Sequence, residues 1–132
     1  MAKSKKFKRN PVVEKYPIVN FREELRTLPD RLPEGKVVYI YTRHRTEYTM
    51  TYTQFYEDIK YFGTALSLLG LAGKPIAVIG ETAPYYMTAY YAVVSTGGII
   101  VPIDREITDD ETVAFMKSAG VEAVVYGETQ NK

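Results

Sequence analysis

Cysteine is absent from the 132 residues and histidine occurs once. Without cysteine there is no disulfide, thiolate metal site or cysteine nucleophile, and a single imidazole leaves no second histidine for a metal cluster. His44 lies in Thr42-Arg43-His44-Arg45-Thr46, a polar hairpin tip, so it reads as an exposed loop residue and not as a general base. A dinucleotide loop is missing too. The turn after the first wholly apolar run is Gly80-Glu81-Thr82-Ala83, without the Gly-x-Gly-x-x-Gly that lets backbone approach a pyrophosphate. No apolar segment of signal-peptide length follows Arg9, which gives a cytoplasmic location as the expectation. The one long charge-free run, 82–103, is cut by Gly97-Gly98 and Pro102, and its apolar period changes on either side of the glycines. It is therefore a buried helix, turn and strand and not a transmembrane segment.

What is present fits one globular domain: 45% hydrophobic and 25% charged residues, with a net charge of +1 that argues against a dedicated nucleic-acid partner. The charge is uneven. Lys3, Lys5, Lys6, Lys8 and Arg9 are accompanied by no acid in the first ten residues, and residues 1–15 read as a disordered basic tail. An ordered unit is expected over 16–127 and a polar tail over 128–132.

Within that unit Asn20 caps a short helix over 21–28, with Glu23 and Glu24 in its first turn and Pro29 ending it. The β-branched and aromatic runs 37–41 and 47–52 form an antiparallel hairpin. Thr53 caps the next helix, over 54–69, whose apolar stripe is Phe55, Ile59, Phe62, Leu66 and Leu69, with Gly70 closing it. The apolar run 75–80 is a parallel strand covered on both faces. Pro84 starts a helix to about Thr96 that leaves little face for water, and Ile99 to Ile103 is the next buried strand. A Thr108/Glu111 capping box opens a helix running to Gly120, and 121–126 is a third strand. The fold class is thus α/β: a βαβαβ parallel half-sheet with helices packed on it, preceded by a β-hairpin and a short N-terminal helix.

Candidate chemistry is sparse. Ser95-Thr96-Gly97-Gly98 looks like a phosphate cradle but follows a helix and precedes a strand, so helix termination is the reading. Asp109-Asp110 and Glu57-Asp58 are consecutive acids that diverge on a helix and do not make an acid–base pair. Asp104 is the one acid at the carboxyl end of a parallel strand, where α/β sheets place ligands, although a turn-forming role accounts for it as well. Tyr86, Tyr90 and Tyr91 are explained as core residues of an apolar helix.

The central unit also resembles a family. Thr96-Gly97-Gly98-Ile99-Ile100-Val101-Pro102-Ile103-Asp104 resembles the Ala-Gly-Gly-Ala-Tyr-Val-Pro-Ile-Asp motif of AMP-forming adenylating enzymes. Met50-Thr51-Tyr52-Thr53-Gln54-Phe55 is similar to their Leu-Thr-Tyr-x-Glu-Leu motif. Glu81-Thr82-Ala83-Pro84-Tyr85-Tyr86 stands where acyl-CoA synthetases show Glu-Asn-x-Pro-Glu-Trp. Val101-Pro102-Ile103-Asp104-Arg105-Glu106-Ile107 is similar to the Val-Pro-Leu-Asp-Arg-Glu-Leu of bacterial long-chain fatty acid–CoA ligases. Gln54 departs from the acidic residue of its motif, and Ser95-Thr96 replace Lys-Ala, both at positions of structural character.

The resemblance implies the amino-terminal segment of an acyl-CoA synthetase. The whole enzyme would join a fatty or related carboxylic acid to ATP with Mg²⁺ and then to coenzyme A. The family's serine-, threonine- and glycine-rich phosphate loop, ribose-binding aspartate, hinge and late lysine have no counterpart here. The segment alone is therefore expected to bind no cofactor and to be inactive, with no position assigned a catalytic, cofactor-binding or metal role. Its expected partner is the remainder of the enzyme, and self-association through exposed apolar surface is the expected outcome for a half-sheet. The alternatives are a stand-alone, non-catalytic α/β binding or assembly module, and a segment of an adenylating enzyme for amino or aryl acids.

Overall fold

Asn20 accepts a hydrogen bond from Glu23 N (2.9 Å), which starts α1, Phe21–Arg31. The structure is a computed structural model that describes residues 20–127. The expected tails at 1–15 and 128–132, and the lead-in 16–19, lie outside the described residues. Helix α1 passes through Pro29 and ends only at Leu32, so the proline does not end it as the sequence suggests. Pro29 falls in the last full turn, where its missing N–H loses a single backbone bond, and Arg31 reaches back across that turn to pair with Glu24.

The hairpin consists of β1, Val37–Arg43, and β2, Thr46–Thr51, paired antiparallel with Tyr41 stacked on Tyr48 at 5.5 Å. Only His44 and Arg45 join them, with φ of 50° and 65°. A two-residue hairpin turn that follows the strand twist needs positive φ at both positions, a conformation asparagine and glycine adopt most readily. Arg45→Gly should therefore stabilise the chain by roughly 0.5–1 kcal/mol, the left-handed strain of an L residue less the added freedom of glycine in the unfolded chain. Thermal melts of the two proteins test this, and a lower melting temperature for Arg45→Gly would show that contacts of the arginine side chain outweigh the strain.

Helix α2 runs Tyr52–Leu68 and its cap is Thr51, not Thr53. Thr51 Oγ1 accepts from Gln54 N at 3.2 Å while Gln54 Oε1 accepts from Thr51 N at 2.9 Å. The glutamine that departs from the acidic family pattern completes a capping box, a task an amide oxygen performs as a carboxylate does. Of the expected stripe, Phe55, Ile59 and Leu66 are buried and Phe62 partly so, but Leu69 is 73% exposed because the helix has ended and it serves as the C-cap.

Strands β3 (Pro75–Ile79), β4 (Ile99–Ile103) and β5 (Ala123–Tyr126) form a parallel sheet in the order β4-β3-β5. Helix α3, Pro84–Ser95, connects the first two, and α4, Asp109–Ser118, connects the last two. The second crossover reverses direction past β3, and the sheet's two faces differ accordingly. Ile76, Ile100, Ala123 and Val125 pack with Val93 of α3 and Leu66 of α2. A second cluster joins Leu25, Phe55, Ile59 and Ala92 with Tyr39, Met50 and Tyr91, tying α1, α2, α3 and the hairpin together. Tyr91 stacks on Phe21 at 5.3 Å and meets Phe55 edge-on at 5.7 Å, which bears out its reading as a core residue.

The opposite face departs from expectation. Helix α4 has its Thr108/Glu111 capping box but buries none of its residues, and Phe115 is 59% exposed. Strand β4 is not the buried strand the sequence suggests: Ile99 is 61% exposed and only Ile103 is buried. The exposure of Ile99 follows from position, since β4 is an edge of the sheet. Helix α3 likewise keeps a wet side, with Tyr85 52% exposed. No helix among the described residues is long and apolar enough to cross a membrane.

Candidate site at the carboxyl edge of the sheet

Strand β3 hands the chain to α3 on one face and β4 hands it to α4 on the other. The loops Gly80–Ala83 and Asp104–Ile107 therefore part at the carboxyl ends of two neighbouring strands, the place where open parallel sheets form ligand crevices. A cavity of about 650 Å³ occupies this point, lined by Glu81, Thr82, Tyr86, Ile103, Asp104 and Arg105. A second, of about 500 Å³, lies between the hairpin tip at Thr42, Arg43 and His44 and the side chains of Glu81, Tyr85 and Tyr126. A third, of about 230 Å³, runs under the start of α4 past Ile79, Arg105 and Tyr126.

Arg105 Nη1 meets Glu81 Oε1 at 2.6 Å and ties the two diverging loops together. The side chains remain 40% and 53% exposed, so solvent screens the pair and its net contribution is below about 1 kcal/mol. Asp104 stands where the sequence places it, at the carboxyl end of β4, but its Oδ1 accepts a hydrogen bond from Glu106 N at 2.9 Å. That is the local turn of an aspartate that shapes the backbone, and the turn-forming reading accounts for it. Burial, and then the neighbouring Tyr90, push the Tyr86 phenol above its ordinary pKa, so it stays a protonated wall of the crevice. Hydrogen bonds from the Thr108 backbone and then its hydroxyl hold the Glu111 carboxyl below the usual range, a capping effect outside the crevice.

Helix α3 begins with Ala83 as its cap, without a side-chain hydrogen bond and without an acid in its first turn. The one cation lining the crevice, Arg105, is paired with Glu81, and Asp104 adds a second carboxylate, so the crevice is not arranged for an anion. No pair of groups there forms a nucleophile and base. Among the described residues no three of His, Asp or Glu gather to hold a metal ion. Sequence reasoning located Asp104 but not the approach of the hairpin tip to Glu81 and Tyr85, because nothing local in 42–46 encodes which distant loop it will face.

Ser95-Thr96-Gly97-Gly98 lies at the other end of the sheet and terminates α3, as its sequence indicates. Gly97 has φ 77°, and Gly98 N donates to Val93 O at 2.9 Å.

The family model for AMP-binding enzymes matches residues 25–132. Among solved structures, the inhibitor-bound N-terminal domain of FACL13 from Mycobacterium tuberculosis superposes with a TM-score of 0.76 at 22% identity, over 85% of this chain and 28% of that one. The fatty acid AMP ligase from Legionella pneumophila gives 0.72 at 18%, over 83% and 20%. The N-terminal subdomain of Klebsiella oxytoca NpsA, in complex with 3-hydroxyanthranilyl-AMSN, gives 0.68 at 18%, over 80% and 26%. The chain thus spans less than a third of each of these proteins, and at such identities the likeness is one of fold. No curated protein matches the sequence significantly.

Proposed function

The chain belongs to the AMP-binding enzyme family, and from that premise we propose that it is the amino-terminal segment of an AMP-forming acyl-CoA ligase. The whole enzyme would activate a fatty or related carboxylic acid as its acyl adenylate and pass it to coenzyme A. The observation that carries this reading is the family match over most of the chain. The segment Val101 to Ile107, similar to long-chain fatty acid–CoA ligases, supports it by ending β4 and lining the carboxyl-edge crevice through Pro102, Ile103, Asp104 and Arg105. A segment of an enzyme for aryl acids is the second reading, favoured by the likeness to the NpsA subdomain in its 3-hydroxyanthranilyl-AMSN complex.

The residues present do not make an ATP and Mg²⁺ site. The crevice has one cation, already paired with Glu81, and no group of acids to hold a metal ion among the described residues. Phosphoryl chemistry on ATP depends on positioned amides, cations and Mg²⁺ around the phosphates, so no catalytic step is assigned to these side chains. The role left to this segment is architectural: it builds one α/β layer and presents the carboxyl edge to the chain that completes the site.

ATP–pyrophosphate exchange tests both parts. The purified chain with Mg²⁺ and a panel of short to long fatty acids is expected to show no acid-dependent exchange. A longer protein containing it is expected to exchange with fatty acids in preference to aryl acids. Exchange by the 132 residues alone that survives repurification would overturn the assignment of catalysis to other chain segments, and Asp104 would then be the first residue to change.

A further inference from the structure

At the end of α3 away from the carboxyl-edge crevice, α2 carries apolar side chains that nothing among the described residues covers. The helix turns Phe55, Ile59 and Leu66 to the core, but a second row, Tyr61, Ala65 and Leu68 at spacings of four and three, faces outward. Tyr61 is 65% exposed, Leu68 84% and the C-cap Leu69 73%. A single exposed apolar side chain is ordinary, whereas large ones grouped on one helix end mark a contact surface. The charge around them has one sign: between Asp58 and Glu81 the only charged residues are Lys60 and Lys74. Lys74 is paired with Glu122 at 3.0 Å, and Lys60 Nζ lies 5.4 Å from the Tyr61 ring centroid.

The basic amino-terminal run is joined to the body at this same end. Arg22, in the first turn of α1, donates Nε to the Ser95 carbonyl at the end of α3 (2.7 Å). The neighbouring Thr96 lies against Gly63 of α2, its Cγ2 3.3 Å from where a Cβ would stand. Gly63 falls between Tyr61 and Leu68 in the helix, so the chain before Asn20 is attached beside the exposed row. That chain holds Lys3, Lys5, Lys6, Lys8 and Arg9 around Phe7 with no acid among its first ten residues. Residues 10–19 between this run and Asn20 can span up to about 35 Å when extended, enough to bring the run level with the end of α2.

We infer that the basic run and the outer row of α2 together dock the chain on an anionic lipid surface. The lysines and Arg9 meet the headgroups, where each cation near an anionic leaflet contributes about a fivefold gain in affinity. Leu68 and Leu69 enter the boundary between headgroups and acyl chains, and Tyr61 and Lys60 supply the aromatic and cationic groups that sit at headgroup level. Charge decides between occupants. A second copy seated on the same surface would bring two basic runs together, and a nucleic acid would leave the leucines without an apolar partner. Because α3 starts at the crevice and ends at Ser95, docking at this end leaves the carboxyl edge open. The inference does not depend on the proposed ligase activity.

The test is flotation of the purified chain with vesicles of mixed phosphatidylcholine and phosphatidylserine, against vesicles of phosphatidylcholine alone. The anionic vesicles are expected to bind about a hundredfold more tightly, the product of several cation contacts, and high salt should remove most of that difference. Replacing three cations at once, with Lys5→Gln, Lys6→Gln and Lys8→Gln, should cost about a hundredfold on anionic vesicles. Leu68→Ser with Leu69→Ser should cost about tenfold while leaving the salt dependence as it was, because it removes apolar contact and no charge. Both leucines are exposed, so the melting temperature of that variant should match the parent's and show that it is folded. A synthetic peptide of residues 1–15 should bind more weakly than the whole chain. Equal binding to neutral vesicles, a peptide as tight as the chain, or affinity unmoved by the leucine pair would each overturn the inference. So would a dimer in sedimentation that the leucine pair dissolves, or tighter binding of duplex DNA than of anionic vesicles at the same salt.

Discussion

Gly98→Ala is expected to destabilise the chain by about 2–3 kcal/mol, the upper part of the range for overpacking a tight site. A Cβ at Gly98 would stand 2.9 Å from Lys74 O, 2.9 Å from Val93 Cγ1 and 3.0 Å from Val93 O. Two of these three atoms are backbone acceptors already in use: Lys74 O takes Ile99 N at 3.1 Å, and Val93 O takes Gly98 N at 2.9 Å. The methyl group can be relieved only by drawing the start of β4 away from β3 or by opening the end of α3. Gly97→Ala meets nothing within 4 Å and suffers only from its φ of 77°, a cost of about 1 kcal/mol. Denaturant melts of the two variants give the comparison, and a Gly97→Ala variant as unstable as Gly98→Ala would mean that backbone strain, not close approach, dominates this turn.

Leu66→Ala is expected to cost about 2–5 kcal/mol, because Leu66 is 4% exposed between Ile76 of the central strand and Val93 of α3, where the helices leave little freedom to collapse onto a void. Leu69→Ala, one helical step further along the same sequence stripe, is expected to change stability by less than about 0.5 kcal/mol, since that side chain is 73% exposed. Urea unfolding with both midpoint and slope recorded distinguishes the two. A large loss for Leu69→Ala would mean that its apolar surface is covered in solution, and self-association measured by sedimentation would then be the first explanation to examine.

The two glycines and the two leucines show where sequence is informative. Gly97-Gly98 marks a helix end by composition alone, and the left-handed turn at Gly97 is the local consequence. That Gly98 must be glycine for a different reason is invisible in the sequence, because the clash with Lys74 O exists only once β4 lies beside β3, and those with Val93 only once the turn folds back on the end of α3. Likewise the spacing of Phe55, Ile59, Phe62, Leu66 and Leu69 identifies a helix and its inner face, but not the turn at which the partner surface stops.

By itself the sequence determined the order of elements, the hairpin, the parallel βαβαβ unit, the capping box at Thr108 and the family likeness, since each rests on short-range period, turn chemistry or motif. Tertiary structure alone decided the rest. It carried α1 through Pro29, brought the hairpin tip to Glu81 and Tyr85, joined Glu81 to Arg105 across two loops, and left Ile99 and Phe115 exposed on the second face. The physical reason is that burial and pairing are properties of what lies opposite a residue. An apolar β-branched run reads the same whether it becomes β3, paired on both edges, or β4, paired on one.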